Sequence, residues 1–352
     1  MKRLFCIFIG AFIGFLVMMI GAVIIIDPFF HYHSPLKSIY YRIDNPRSQN
    51  IGIVGQYEYD AIITGTSLTQ GFLASEFDEF FGTDSIKLPF PGATFYETEQ
   101  VLEKAFESEN DIKYVVRSLD VNHLLDDRNA LREDLGVYPF YLYNDSIWDD
   151  YKYVCNEDTV LSYCVPEFWG LIRGKEGGHT SFDVYLRGNE GHGNWILHDE
   201  PFDASDIEKV PFGDADKNAL TENVKANIID LAKAHPETTF IYFIPPYNVN
   251  WWLGLVKEGK VDFTCDEIRY TMELLLECEN IKLYCFAGRT DVTTDLDNYI
   301  DGYHYVNAIH SMILKWIKDD EDLINKDNYE NYVEKLRVFY NNYEYYCDGT
   351  VE

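Results

Sequence analysis

A serine at the end of a short apolar run is the first residue of this chain whose type and placement could do chemistry. In residues 59–72, YDAIITGTSLTQGF, Ala61-Ile62-Ile63 reads as a buried strand and Gly65-Thr66-Ser67 as a tight turn with a hydroxyl at its tip. Reactive groups of open α/β sheets gather at the carboxyl ends of strands, where Ser67 would serve as a nucleophile. The same residues allow a plainer account, because Ser67 with Gln70 three residues on is a capping box that starts the next helix. Far downstream stands Asp301-Gly302-Tyr303-His304. An Asp and a His at this spacing on one loop can set the carboxylate on one imidazole nitrogen while the other nitrogen faces a hydroxyl. Taken alone, Asp301 is also an ordinary turn residue.

The elements that would position these groups alternate along the chain. Strands are expected at residues 59–64, 85–88 (SIKL), 113–119 (KYVVRSL), 239–244 (TFIYFI) and 281–286 (IKLYCF). Between and after them, helical spacing covers about 67–80, 95–107, 217–234, 263–278 and 307–317. Strands separated by helices at these intervals imply βαβ units and a mostly parallel sheet. Residues 27–58 lack a clear period and read as a connector, and the tyrosine-rich tail from Lys318 reads as a peripheral helix. From Leu124 to about Phe212 the alternation disappears, and this segment reads as an insertion over the active edge of the sheet. Its His179, His192 and His198 fit no metal-ligand spacing and read as solvated loop histidines, with a metal-dependent hydrolase as the competing idea. No glycine-rich phosphate loop follows any strand, and no cofactor is implied.

Ser67 follows the first strand, Gly92 the second and Asn122 the third, while Asp301 and His304 precede the final helix. In this ordered set the chain resembles the SGNH (GDSL-like) hydrolase family over roughly residues 58–122 and 238–318. The resemblance implies a three-layer α/β/α, flavodoxin-like sandwich with a mostly parallel sheet, its catalytic domain spanning 59–318. It also implies that Ser67 is the nucleophile, His304 its general base and Asp301 the residue that orients His304. The oxyanion would then be held by the backbone N–H groups of Ser67 and Gly92 and the side chain of Asn122. The chain departs from the family pattern in two places. Its first block reads Gly-Thr-Ser-Leu, without the family's Asp, and its third reads Leu-Asp-Val-Asn-His, without the usual glycine before the asparagine. The second glycine of a G-x-S-x-G elbow is also missing, which disfavours an α/β-hydrolase.

Composition bounds the setting. The 352 residues are 47% hydrophobic and 16% aromatic, enough for a sizeable core. A formal net charge of -30 argues against nucleic acid as a partner, since phosphates would be repelled. Residues 4–26 form an uncharged apolar run long enough to span a bilayer as an uncleaved anchor, and residues 319–352 form the tail. Lys2 and Arg3 ahead of the run favour a cytoplasmic amino terminus and an extracytoplasmic body, while Lys37, Arg42 and Arg47 just beyond it pull the other way. Of seven cysteines, Cys6 lies in the anchor; the other six could be paired or buried free thiols.

An anchored SGNH body resembles the accessory proteins that add or move acyl groups on bacterial surface polymers, as in alginate O-acetylation and D-alanylation. That resemblance implies a bacterial membrane protein acting as an esterase or O-acyltransferase on a cell-surface polysaccharide, alongside a membrane-bound acyltransferase. Ser67 would attack an ester, and the acyl-serine would pass to a sugar hydroxyl or to water. Trp148, Trp169, Trp195, Trp251 and Trp252 could stack on sugar rings, although packing is the commoner use of such residues. The competing function is a catalytically silent glycan-binding or assembly subunit with the same fold.

Overall fold

The β-branched and aromatic runs form the strands of one sheet: β1 (Ala61–Gly65), β2 (Ser85–Pro89), β3 (Tyr114–Ser118), β4 (Thr239–Ile244), β5 (Ile281–Cys285) and β6 (Leu323–Ile324). The computed structural model describes residues 1–144, 146–178, 181–186, 188–191 and 207–345. The strand order is β2-β1-β3-β4-β5-β6. Every pairing is parallel except β5 with the two-residue β6. All five residues of β1 are buried, as expected of a continuously apolar strand inside a parallel sheet. The registers Gly65↔Pro89, Thr64↔Arg117, Ser118↔Phe243 and Ile244↔Cys285 bring the carboxyl ends of β1 to β5 to one edge. The fold is therefore a mixed-sheet α/β arrangement with a six-stranded, mostly parallel sheet and an apolar amino-terminal helix.

The chain divides into two compact units, one drawn from residues 1–58, 101–110 and 133–181, the other from 59–100, 111–132 and 182–352. The first unit contains the helix Lys2–Ile26, 25 residues with a mean hydropathy of 2.8 in its most apolar window. At 1.5 Å per residue it is about 37 Å long, sufficient by length and composition to cross a membrane. It ends at Asp27, whose left-handed backbone (φ 49°) turns the chain and whose N–H donates to the Val23 carbonyl at 2.7 Å. The buried Asp27 carboxylate accepts from the N–H groups of His31, Tyr32 and His33 at 3.0, 2.6 and 2.9 Å and from the Tyr153 hydroxyl at 2.8 Å. Those donors replace the water that a buried carboxylate loses. Residues 27–58 are more regular than their lack of period suggests. Pro46–Gln56 is helical, started by the Asn45 side chain accepting from the Ser48 N–H at 3.3 Å with proline in the first turn.

The second unit holds the sheet. The expected helix from Ser67 is absent: Ser67–Thr69 makes one short 3₁₀ turn and the α-helix starts only at Ala74, running to Phe81. The ammonium of buried Lys87 on β2 takes the carbonyls of Gln70 and Phe72 at 2.8 and 2.6 Å, drawing the backbone out of a helical path. Helices Phe95–Glu107, Val261–Leu275 and Asn307–Lys318 lie near their expected positions. The tail differs, because it first adds β6 to the sheet before the helix Tyr329–Asn342. The described cysteines form no disulfide; Cys164, Cys265, Cys278 and Cys285 are buried and Cys155 is exposed.

Candidate active site

Gly65 ends β1 with φ +131°, a backbone region that side chains rarely adopt, and a Cβ there would sit 2.3 Å from the Ser118 hydroxyl. The turn it makes delivers Ser67 to the carboxyl edge of the sheet. Ser67 does not form the capping box that its spacing to Gln70 allows. Thr66 caps the short turn instead, its hydroxyl accepting from the Leu68 N–H at 3.4 Å. The Ser67 hydroxyl lies 2.7 Å from His304 Nε2.

On the other side of the imidazole, His304 Nδ1 meets the Asp301 carboxylate at 2.7 Å (Oδ2) and 2.9 Å (Oδ1). With Nδ1 protonated and donating to Asp301, Nε2 carries the lone pair that accepts from the Ser67 O–H. Asp301 Oδ1 also accepts from the N–H groups of Tyr303 and His304 at 2.9 and 2.8 Å. Partial burial disfavours ionised Asp301, but these N–H groups and the His304 imidazole outweigh it and hold its carboxyl below the usual range.

The loop that carries the pair is closed at both ends. Ile300 N–H donates to the His304 carbonyl at 2.8 Å, and a bridge joins Tyr299 to Tyr305. The Tyr299 hydroxyl donates to the Pro246 carbonyl at 2.6 Å, and Asn248 Nδ2 to the Gly302 carbonyl at 3.1 Å. Tyr305 then reaches back to the serine turn, its hydroxyl donating to the Leu68 carbonyl at 2.6 Å. A hydroxyl, an imidazole and a carboxylate in this series can activate the oxygen, hold the proton and stabilise the imidazolium.

Gly92 follows β2 with φ +66°, and its carbonyl accepts from Arg132 Nη1 at 2.7 Å. Among the described residues neither the Ser67 nor the Gly92 N–H donates to a protein acceptor. Asn122 is exposed after β3, and its Nδ2 and backbone N–H both donate to Asp120 Oδ1, at 3.0 and 3.1 Å. Asp120 is the residue the sequence did not single out. Its Oδ1 also accepts from the Tyr247 hydroxyl at 2.5 Å, and its Oδ2 lies 3.4 Å from the Thr66 hydroxyl. Asp120 thus ties the ends of β3 and β4 to the turn that carries Ser67. Its position two residues past the end of β3 was the available signal.

His179, His192 and His198, with Trp195, lie outside the described residues. Trp252 belongs to the core, buried and stacked on Tyr340 with ring centres 3.8 Å apart. Trp148 and Trp169 are exposed.

No family model matches the chain. No curated protein matches it either. Among solved structures, one provisionally described as a platelet activating factor from Streptococcus pneumonia resembles it over 79% of this chain and 91% of its own, at 12% identity and a TM-score of 0.39. A likeness so distant has no bearing on the chemistry of the site.

Proposed function

We propose that the chain is a membrane-anchored serine hydrolase or acyltransferase of SGNH type, acting on acyl esters of a cell-surface glycan. The observation that carries this is the 2.7 Å contact between the Ser67 hydroxyl and His304 Nε2, with Asp301 on the opposite nitrogen. In this reading Ser67 attacks the ester carbonyl while His304 takes its proton. Asp301 steadies the resulting imidazolium, and the acyl-serine passes to a sugar hydroxyl or to water. The uncommitted N–H groups of Ser67 and Gly92 suit the developing oxyanion, with Asn122 as a third donor once its amide leaves Asp120. The strand order 2-1-3-4-5 is that of doubly wound, flavodoxin-like sheets, whose ligands sit where the order reverses, beside β1 and β3. Residues 1–26 serve as the anchor, 27–58 as the connector, 59–318 as the catalytic domain with its insertion at 124–212, and 319–352 as the tail. The body faces outward from a bacterial membrane with the amino terminus inside, where a membrane-bound acyltransferase is the natural donor partner.

A fluorophosphonate probe applied to the detergent-solubilised full chain tests this. Labelling that disappears in Ser67→Ala supports a reactive serine, and an unlabelled native protein refutes it. The second reading, a silent glycan-binding subunit, is favoured by the Asn122 side chain being bound to Asp120. It requires the unlabelled outcome.

A further inference from the structure

A cavity of about 440 Å3 lies against two residues of the site, Asn122 and Tyr303, the latter adjacent to His304 in the chain. Its size falls in the range of small-ligand pockets. Trp251, partly exposed, lines it and stacks on Tyr247 with ring centres 4.2 Å apart and planes 18° apart. The Tyr247 hydroxyl is held by Asp120, so the Trp251 platform is braced by the same carboxylate that supports the serine turn. Phe263 lines the cavity as well.

Glu267, on the helix Val261–Leu275, also lines this cavity and is only 4% exposed. Among the described residues its carboxylate has no hydrogen-bond partner. Burial, with Asp216 adding to it and Lys260 opposing, pushes its carboxyl up to about 8. At neutral pH it is therefore an acid with one O–H donor and one carbonyl acceptor. Lining the cavity, this carboxyl group can meet a ligand hydroxyl as both donor and acceptor. Lys260 is already paired with Glu258 at 2.6 Å, leaving no unpaired cation among these groups to attract an anionic ligand.

We infer that this cavity is a saccharide subsite, with Trp251 stacking on the apolar face of a neutral sugar ring and Glu267 hydrogen-bonding its hydroxyl rim. A flat aromatic surface beside a polar group able both to donate and to accept matches a ring that is apolar on its faces and hydroxylated at its edge. A ring seated there lies next to Asn122 and to Tyr303, the residue before His304 in the chain. The inference rests on the proposal that the site handles glycan acyl groups, and it names the part of the glycan that the protein reads.

The full-length protein in detergent is applied to an array of neutral, amino and acidic oligosaccharides, with fluorophosphonate labelling of the native protein measured in parallel. Retention of neutral saccharides is expected, weakened about tenfold or more by Trp251→Ala and by Glu267→Leu, with Glu267→Gln staying within about threefold of native because it keeps a donor and an acceptor. Thermal melting of each variant separates lost contacts from lost fold. The inference is overturned if no saccharide is retained, if amino or acidic saccharides are retained in place of neutral ones, or if folded Trp251→Ala and Glu267→Leu bind as the native protein does. Labelling without saccharide binding overturns the subsite and leaves the hydrolase reading standing. Saccharide binding through these residues without labelling does the reverse.

Discussion

The Tyr305 hydroxyl donates to the Leu68 carbonyl at 2.6 Å, joining the residue after His304 to the residue after Ser67. Two loops 237 residues apart are thereby fixed at the neighbouring position in each, which sets the 2.7 Å approach of hydroxyl and imidazole. The Tyr305 ring also packs on His310, at 4.3 Å between centres, and His310 in turn fills the space where a Cβ on Gly71 would sit.

Removing that hydroxyl should therefore separate chemistry from binding. Tyr305→Phe is expected to cost about 1 kcal/mol in stability. It should also lower kcat by about tenfold, with KM for a small aryl ester little changed, because a misplaced base affects the chemical step. A parallel rise in KM, or an unchanged kcat in the folded variant, would show that Tyr305 merely packs.

Asp301→Asn keeps the shape of the loop but removes the charge that stabilises the imidazolium and selects the tautomer. Steady-state hydrolysis of an aryl acetate is expected to fall by about 10²- to 10⁴-fold. Because the folded-state carboxyl lies below its ordinary value, Asp301 also adds stability above that value, and this is lost as pH falls through the folded-state pKa. The native protein should thus lose more stability than Asp301→Asn in acid melts.

Arg117 sits at 0% exposure on β3 and donates to Glu99 at 3.2 Å and to the carbonyls of Asn227 and Phe95 at 2.8 and 3.1 Å. Arg117→Met leaves a buried carboxylate without its cation and should cost about 3–5 kcal/mol in denaturant unfolding. Lys113→Met, which breaks the exposed pair with Asp60, should stay within about 1 kcal/mol. Equal effects of the two would contradict this account of the core.

These buried cations mark where the sequence stops being legible. Hydrophobic runs show five of the six strands, and the parallel sheet follows from their alternation with helices. Nothing in SIKL or KYVVRSL says that Lys87 and Arg117 point inward, since each is satisfied by partners distant in sequence. Ser67, Gly92 and Asn122 stood out along the chain because strand ends do, and Asp301 with His304 because their spacing can set a carboxylate beside an imidazole ahead of a helix. The Tyr305–Leu68 and Asp120–Tyr247 contacts were not, because each joins side chains that only the tertiary fold brings together. β6 escaped notice because two residues carry no period.

Glu267 gives a pH signature. Burial raises its carboxyl from an ordinary 4.5 to about 8, so the folded protein binds the extra proton between those values. Its contribution is present in full below about 4.5 and is lost as pH rises through about 8. Lys87, lowered by burial from 10.5 to about 7, has the opposite slope above neutrality, so the comparison must be made between variants. Glu267→Gln should gain about 4 kcal/mol over the native protein between pH 5 and 9. A pH-independent difference in denaturant midpoints would contradict the burial of this group.

The most direct test of the acyl-enzyme mechanism is to trap its intermediate. The full-length protein is mixed with an aryl acetate, quenched in acid within one turnover and mapped by peptide mass. One acetyl group on Ser67 is expected in the native protein, with none at any residue of Ser67→Ala. Acetylation elsewhere, or undiminished ester turnover by Ser67→Ala, would contradict a mechanism built on this serine and His304.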